Sequence, residues 1–186
     1  MATMILLPNA TGLFNFNWIA VGETNHHQCL DDDNDGTSYS KCNDDAVEMI
    51  IEYYDPDDVT PVNGGVAEAE IDFDETVSVR FISSGKAVHR TNPSLVDIEY
   101  EGLSGITAES CSYDAHRTNY ETINGTAHTT YDGSNPWTYA RLEGLELKCT
   151  KDGTVEVYLS YLAIEVTYTA TVSAVTDNAT FFGANF

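Results

Sequence analysis

Apolar residues return at every second position in segment after segment of this chain, and that spacing constrains the fold more than any other feature. Thr76-Val77-Ser78-Val79-Arg80-Phe81 sets Val77, Val79 and Phe81 on one side of an extended backbone. Val96, Ile98 and Tyr100 likewise share a side opposite Asp97, Glu99 and Glu101. Alternation of this kind marks a strand with one face in a core. Val47-Glu48-Met49-Ile50-Ile51 reads the same way. The longest run, Val155 to Tyr168, carries Val155, Val157, Leu159 and Tyr161 in one phase and Leu162, Ile164, Val166 and Tyr168 in the other. A change of phase inside one strand predicts a bulge or burial on both faces.

Turn signals separate these runs: Asp55-Pro56-Asp57-Asp58, Asn63-Gly64-Gly65, Ser83-Ser84-Gly85, Asn124-Gly125, Asp132-Gly133 and Lys151-Asp152-Gly153. Sustained helical periodicity is absent. Many strands, Gly and Asn turns and eleven tyrosines predict an all-β fold, an antiparallel two-sheet sandwich of jelly-roll type. A chain of 186 residues is long enough for one domain that buries roughly 70% of its unfolded surface. We place that domain at residues 1–168 and a C-terminal edge strand or arm at 169–186. Phe181, Phe182 and Phe186 in the arm are apolar anchors that predict docking, either on a neighbouring subunit or on their own domain.

Thirty acidic against eight basic side chains give a net charge of -22. Such a surface repels phosphate backbones and anionic membranes, which argues against nucleic-acid and membrane partners. No stretch approaches the roughly 20 apolar residues of a membrane span, and Met4–Leu7 lacks the length and basic flank of a secretory signal. Cys29, Cys42, Cys111 and Cys149 lie too far apart for a Cys-x-x-Cys zinc or redox motif. Cys29 and Cys42 bracket an acidic loop that a disulfide would stabilise by about 3 kcal/mol in the loop-entropy model; two buried free thiols are the equal alternative.

Several motifs invite a chemical reading. Asp31-x-Asp33-x-Asp35-Gly36 opens like a calcium loop, with oxygens at alternate positions and Gly at the turn. The twelfth position, where an EF-hand has its bidentate acid, is Cys42, so Asp31, Asp33 and Asp35 predict at most a calcium site completed from elsewhere. His26 and His27 are adjacent, so on a strand they point to opposite faces and make no chelate; a solvated loop pair is expected. No Gly-x-Ser-x-Gly elbow and no phosphate-binding P-loop is present. Glu70-Ile71-Asp72-Phe73-Asp74-Glu75 resembles the bulged strand of laminarinase-like glycoside hydrolases, which also use a jelly roll. That resemblance implies Glu70 as nucleophile, Asp72 as helper and Glu75 as acid/base, a pair that retaining chemistry holds about 5–5.5 Å apart. Trp18 and Trp137 are the tryptophans a sugar platform would use, beside the tyrosines.

A wider resemblance runs through the apolar opening Met1–Gly12, the turn containing Trp18, the stretch Asp35–Tyr39, Asn135-Pro136-Trp137-Thr138, the block Leu142–Leu147, the polar turn Lys151–Gly153 and the closing run Val155–Tyr168. Together these resemble small jelly-roll structural proteins of tailed-bacteriophage virions. The resemblance implies a decoration or fibre-like component on head or tail, located in the virion. Such a protein is homo-oligomeric, bound to other virion proteins and acts by subunit adhesion without catalysis. A carbohydrate-binding, lectin-like adhesion domain that meets a host glycan is the alternative; a laminarinase-like hydrolase ranks behind both.

Overall fold

The computed structural model describes residues 1–14, 18–31, 38–42, 44, 46–57, 66–88, 93–114 and 119–171. Eleven strands are described: β1 Ala2–Leu6, β2 Pro8–Phe14, β3 Ile19–Val21, β4 Tyr39–Cys42, β5 Val47–Tyr53, β6 Ser78–Ala87, β7 Ser94–Tyr100, β8 Glu109–Tyr113, β9 Glu121–Asn124, β10 Glu146–Asp152 and β11 Val157–Tyr168. Two short helices accompany them, α1 His26–Leu30 and α2 Tyr139–Leu142. One sheet has six strands, ordered β3-β4-β11-β6-β9 with β1 also on β11; the other has five, ordered β2-β5-β10-β7-β8. All the strand pairs are antiparallel. The chain changes sheet at nearly every connection, as the jelly-roll expectation requires, and only β3–β4 and β7–β8 are sequential neighbours.

The alternation read from the sequence is the alternation of burial. In β5, Val47, Met49, Ile51 and Tyr53 point inward, and in β7 Val96, Ile98 and Tyr100 do so. One contiguous core joins these to Val79 and Phe81 of β6 and to Leu159, Leu162, Ile164 and Val166 of β11. The phase change in the last run is a bulge: the β11–β6 register slips between Leu159 and Tyr161. Past that slip, Leu162, Ile164 and Val166 occupy the inward positions that Val157 and Leu159 hold before it.

Two hydrogen bonds tie the sheets through the core. Tyr53 Oη on β5 donates to the Leu162 carbonyl on β11 at 3.1 Å. Ser83 Oγ on β6 and Tyr113 Oη on β8 lie 2.7 Å apart, both fully buried. The Tyr113 ring fits because Gly85 lies below it: a Cβ there would sit 2.8 Å from both Tyr113 Cε1 and Leu159 Cδ2. Trp18 and Trp137, 2% and 1% exposed, are core residues whose indole nitrogens donate to the Val47 and His128 carbonyls.

Beyond β11 the chain pairs briefly with residues 69–72, through an Ile71–Ala170 bridge and a hydrogen bond from Thr171 N to the Glu70 carbonyl. Phe181, Phe182 and Phe186 lie outside the described residues.

Candidate functional site

Register places five side chains in one row across the outward face of the six-stranded sheet. Ile19 on β3 is opposite Lys41 on β4, Lys41 is opposite Tyr158 on β11, and Tyr158 is opposite Lys86 on β6. Glu121 opens β9 opposite Gly85, so Tyr120, one residue earlier, comes beside Lys86, whose Nζ lies 4.4 Å from the Tyr120 ring centroid. Four strand spacings separate Tyr120 from Ile19, a row of about 19 Å. Tyr39, two residues before Lys41 and on the same side, lays its ring on Tyr158 with centroids 4.4 Å apart and planes 16° from parallel. Lys86 Nζ is also 5.5 Å from the Tyr158 centroid. Rings and ammonium therefore form one continuous stack, Tyr39, Tyr158, Lys86, Tyr120.

Each contact in the stack is modest, about 0.5–1.5 kcal/mol for the ring pair and about 0.5–1 kcal/mol for an exposed cation on a ring. Their combined effect is to hold these long side chains against one another. Burial, then Glu156 and then Tyr39 raise the Tyr158 pKa above the ordinary phenol value. Its hydroxyl thus stays protonated at neutral pH. Glu156 pairs with Lys41 at 3.8 Å, and further along the same face Arg80 Nε donates to Glu165 Oε1 at 2.6 Å.

The outward face of the other sheet has the opposite character. Glu48 and Glu52 of β5, Asp97 and Glu99 of β7, neighbouring Glu101, and Glu146 of β10 surround Lys148, which pairs with Glu99, with Glu101 at 3.5 Å and with Glu48 at 3.9 Å. Burial first, then Glu52 and Glu101, raise the Glu146 pKa. The domain thus has an acidic face and an aromatic, locally balanced face.

Several residues singled out by sequence take other roles. Glu70–Glu75 is not a bulged strand: Glu68–Glu70 is a 3-10 turn in which Glu70 Oε2 accepts from the Ala67 N–H at 2.9 Å. Asp72 Oδ1 accepts from the Asp74 N–H at 3.1 Å. Short-range hydrogen bonds from backbone N–H groups to nearby carboxylates compete with strand formation here. Trp18 and Trp137 are too buried to serve as sugar platforms. Cys29 and Cys42 are not bonded to each other; each is a buried thiol donating to a backbone carbonyl, Val21 and Asp44 respectively.

His26 and His27 are helical, not a solvated pair. His26 is 5% exposed with Nδ1 2.9 Å from Ser40 Oγ, and His27 is bonded to Thr11. Burial foremost lowers both pKa values, so both rings are neutral at pH 7. Asp31 ends α1; Asp33 and Asp35 lie outside the described residues. No cluster of three metal-ligating side chains occurs among the described residues.

No protein-family model matches the chain, and no curated protein matches it. Among solved structures it is similar to the CBM22-1 xylan-binding domain of Xyn10C from Paenibacillus barcinonensis, at 12% identity and TM-score 0.45, over 90% of this chain and 95% of that one. It is similar to the CBM35 of Abf62 from Cellvibrio japonicus, at 10% identity and TM-score 0.43, over 92% and 97%. It is also similar to a family 6 carbohydrate-binding module, at 9% identity and TM-score 0.41, over 90% and 94%.

Proposed function

We propose that this is a non-catalytic glycan-binding adhesion domain whose ligand lies across the outward face of the six-stranded sheet. The observation that carries the proposal is the stack of Tyr39, Tyr158, Lys86 and Tyr120, set in register across the sheet. Tyr39 and Tyr158 occupy one another's faces, so a sugar meets their rims and hydroxyls together with the Lys86 ammonium. This mixture of apolar edge and hydrogen-bonding tip suits the amphipathic surface of a saccharide. The row ends at the β3 and β9 edges of the sheet, so a long chain passes over it without having to present an end.

Catalysis has no part in this reading. Of the three carboxylates assigned to hydrolysis by resemblance, Glu70, Asp72 and Glu75, the first two are engaged in local turns. A virion location is compatible with it: on a particle, such a face makes the domain an adhesin for a surface glycan. Adhesion between subunits through Phe181, Phe182 and Phe186 concerns residues outside those described.

The test is a glycan array followed by affinity electrophoresis with soluble polysaccharides. Binding that falls at least about tenfold in Tyr158→Ala, with an unchanged cooperative melt, is the expected result. An array on which wild-type protein binds nothing overturns the proposal.

A further inference from the structure

We infer that the glycan carries carboxylates, and carries them sparsely: a largely neutral polysaccharide with isolated uronic-acid units, one of which meets Lys86. The inference rests on the glycan-binding reading above and deepens it. Lys41 and Arg80, the other two basic residues described on this face, are each answered by a carboxylate, Glu156 and Glu165. Lys86 has no carboxylate within 4.0 Å among the described residues. Its ammonium rests on aromatic rings instead, 4.4 Å from Tyr120 and 5.5 Å from Tyr158. Contact with a ring face holds a cation in place but supplies no acceptor for all of its three N–H groups. In a chain with thirty acids and eight bases, a cation held at the centre of the stack without a carboxylate partner among the described residues is the position to which a ligand anion fits.

Sparseness follows from the rest of the charge. Screening confines interactions between exposed charges to about 8 Å at 0.15 M salt. Within that reach Lys41 is offset by Glu156 and Arg80 by Glu165. Among the described residues Lys86 is thus the one cation of this face that no carboxylate offsets, and any further carboxylate on the sugar chain would meet only repulsion from a protein of net charge -22. One carboxylate at Lys86 gains a charge-assisted hydrogen bond without that repulsion.

The experiment measures affinity of the intact protein for mixed-linkage β-glucan, galactomannan and soluble starch. Each polymer is presented neutral, sparsely oxidised at its primary hydroxyls to carboxylates, and fully oxidised. The expected result on at least one backbone is about tenfold tighter binding to the sparse form than to the neutral one, the equivalent of one partly exposed charge-assisted hydrogen bond. The fully oxidised form should bind more weakly than the sparse form. Lys86→Met keeps the stem and should erase the preference for the sparse form over the neutral one. Equal affinity of wild-type protein for neutral and sparse forms overturns the inference and leaves the glycan reading standing. Tightest binding to the fully oxidised form overturns the sparseness. Absence of binding to all nine preparations overturns the inference, and if the array is silent too, the glycan reading falls with it. The wild-type comparison decides the matter even if Lys86→Met fails to fold.

Discussion

Removing the Tyr113 hydroxyl tests whether a single hydrogen bond through the core helps hold the two sheets in place. Tyr113 and Ser83 are both fully buried and their oxygens are 2.7 Å apart. Tyr113→Phe leaves Ser83 Oγ without its partner in a dry interior, which costs about 1–3 kcal/mol. The Cys111 thiol lies beside both oxygens and offers a weak substitute, so the lower half of that range applies, about 1–2 kcal/mol. For a chain of this length that lowers Tm by roughly 2–8 °C. Ser83→Ala strands the phenol instead and should cost about the same. The double variant strands neither oxygen, so its loss should be smaller than the sum of the singles by about 1–2 kcal/mol. Equilibrium urea unfolding gives each value as a shift in midpoint at constant slope. Losses that add to within about 0.5 kcal/mol would show that the two oxygens are not coupled, and the reasoning would fail.

Two other outcomes are expected. Because burial, Glu52 and Glu101 raise the Glu146 pKa, the folded form holds that proton more tightly than the unfolded form. Stability therefore falls as pH rises from the ordinary glutamate range through the raised value. Glu146→Gln should melt higher than wild type at pH 7, with the gain disappearing below about pH 4; a lower melting temperature at pH 7 would contradict this. Burial pushes the Cys111 thiol up to about 11 and raises the Cys29 and Cys149 pKa values as well, and all four thiols are free and buried. Ellman's reagent at pH 8 should react slowly with native protein and count four thiols in denaturant, whereas a count of two would restore the Cys29–Cys42 disulfide.

Those features carried by local periodicity were legible in the sequence. The alternation in β5, β6 and β7 placed their inward residues correctly, and the change of phase near Tyr161 marked a real bulge because only a slipped register lets both apolar sets face one core. Glu70–Glu75 misled because acidic residues at alternate positions look like a strand face, whereas here the carboxylates of Glu70 and Asp72 bind backbone N–H groups close by and fold the segment into turns. Helix α1 was missed because its five residues are too short to show a helical period. Its start is fixed by Asn25 N–H donating to Gln28 Oε1. The aromatic row could not be read at all. Residues 39, 86, 120 and 158 come together only through the register of four strands, and nothing local to any of them announces the other three.

The position of β10 and β11 has a consequence for the growing chain. β11 bonds to β1, β4 and β6, and β10 bonds to β5 and β7, so the middle of each sheet is filled by the last two strands described. Until synthesis reaches β10 neither sheet is continuous, and until it reaches β11 the six-stranded one is not: β5 and β7 have no strand between them before the first, and β4 and β6 none before the second. A ribosome-bound chain therefore carries two open slots lined with unpaired backbone and apolar side chains. Folding must wait for β10 and β11, each of which fills the slot of a different sheet, and a chain that stops before residue 146 lacks the central strand of both.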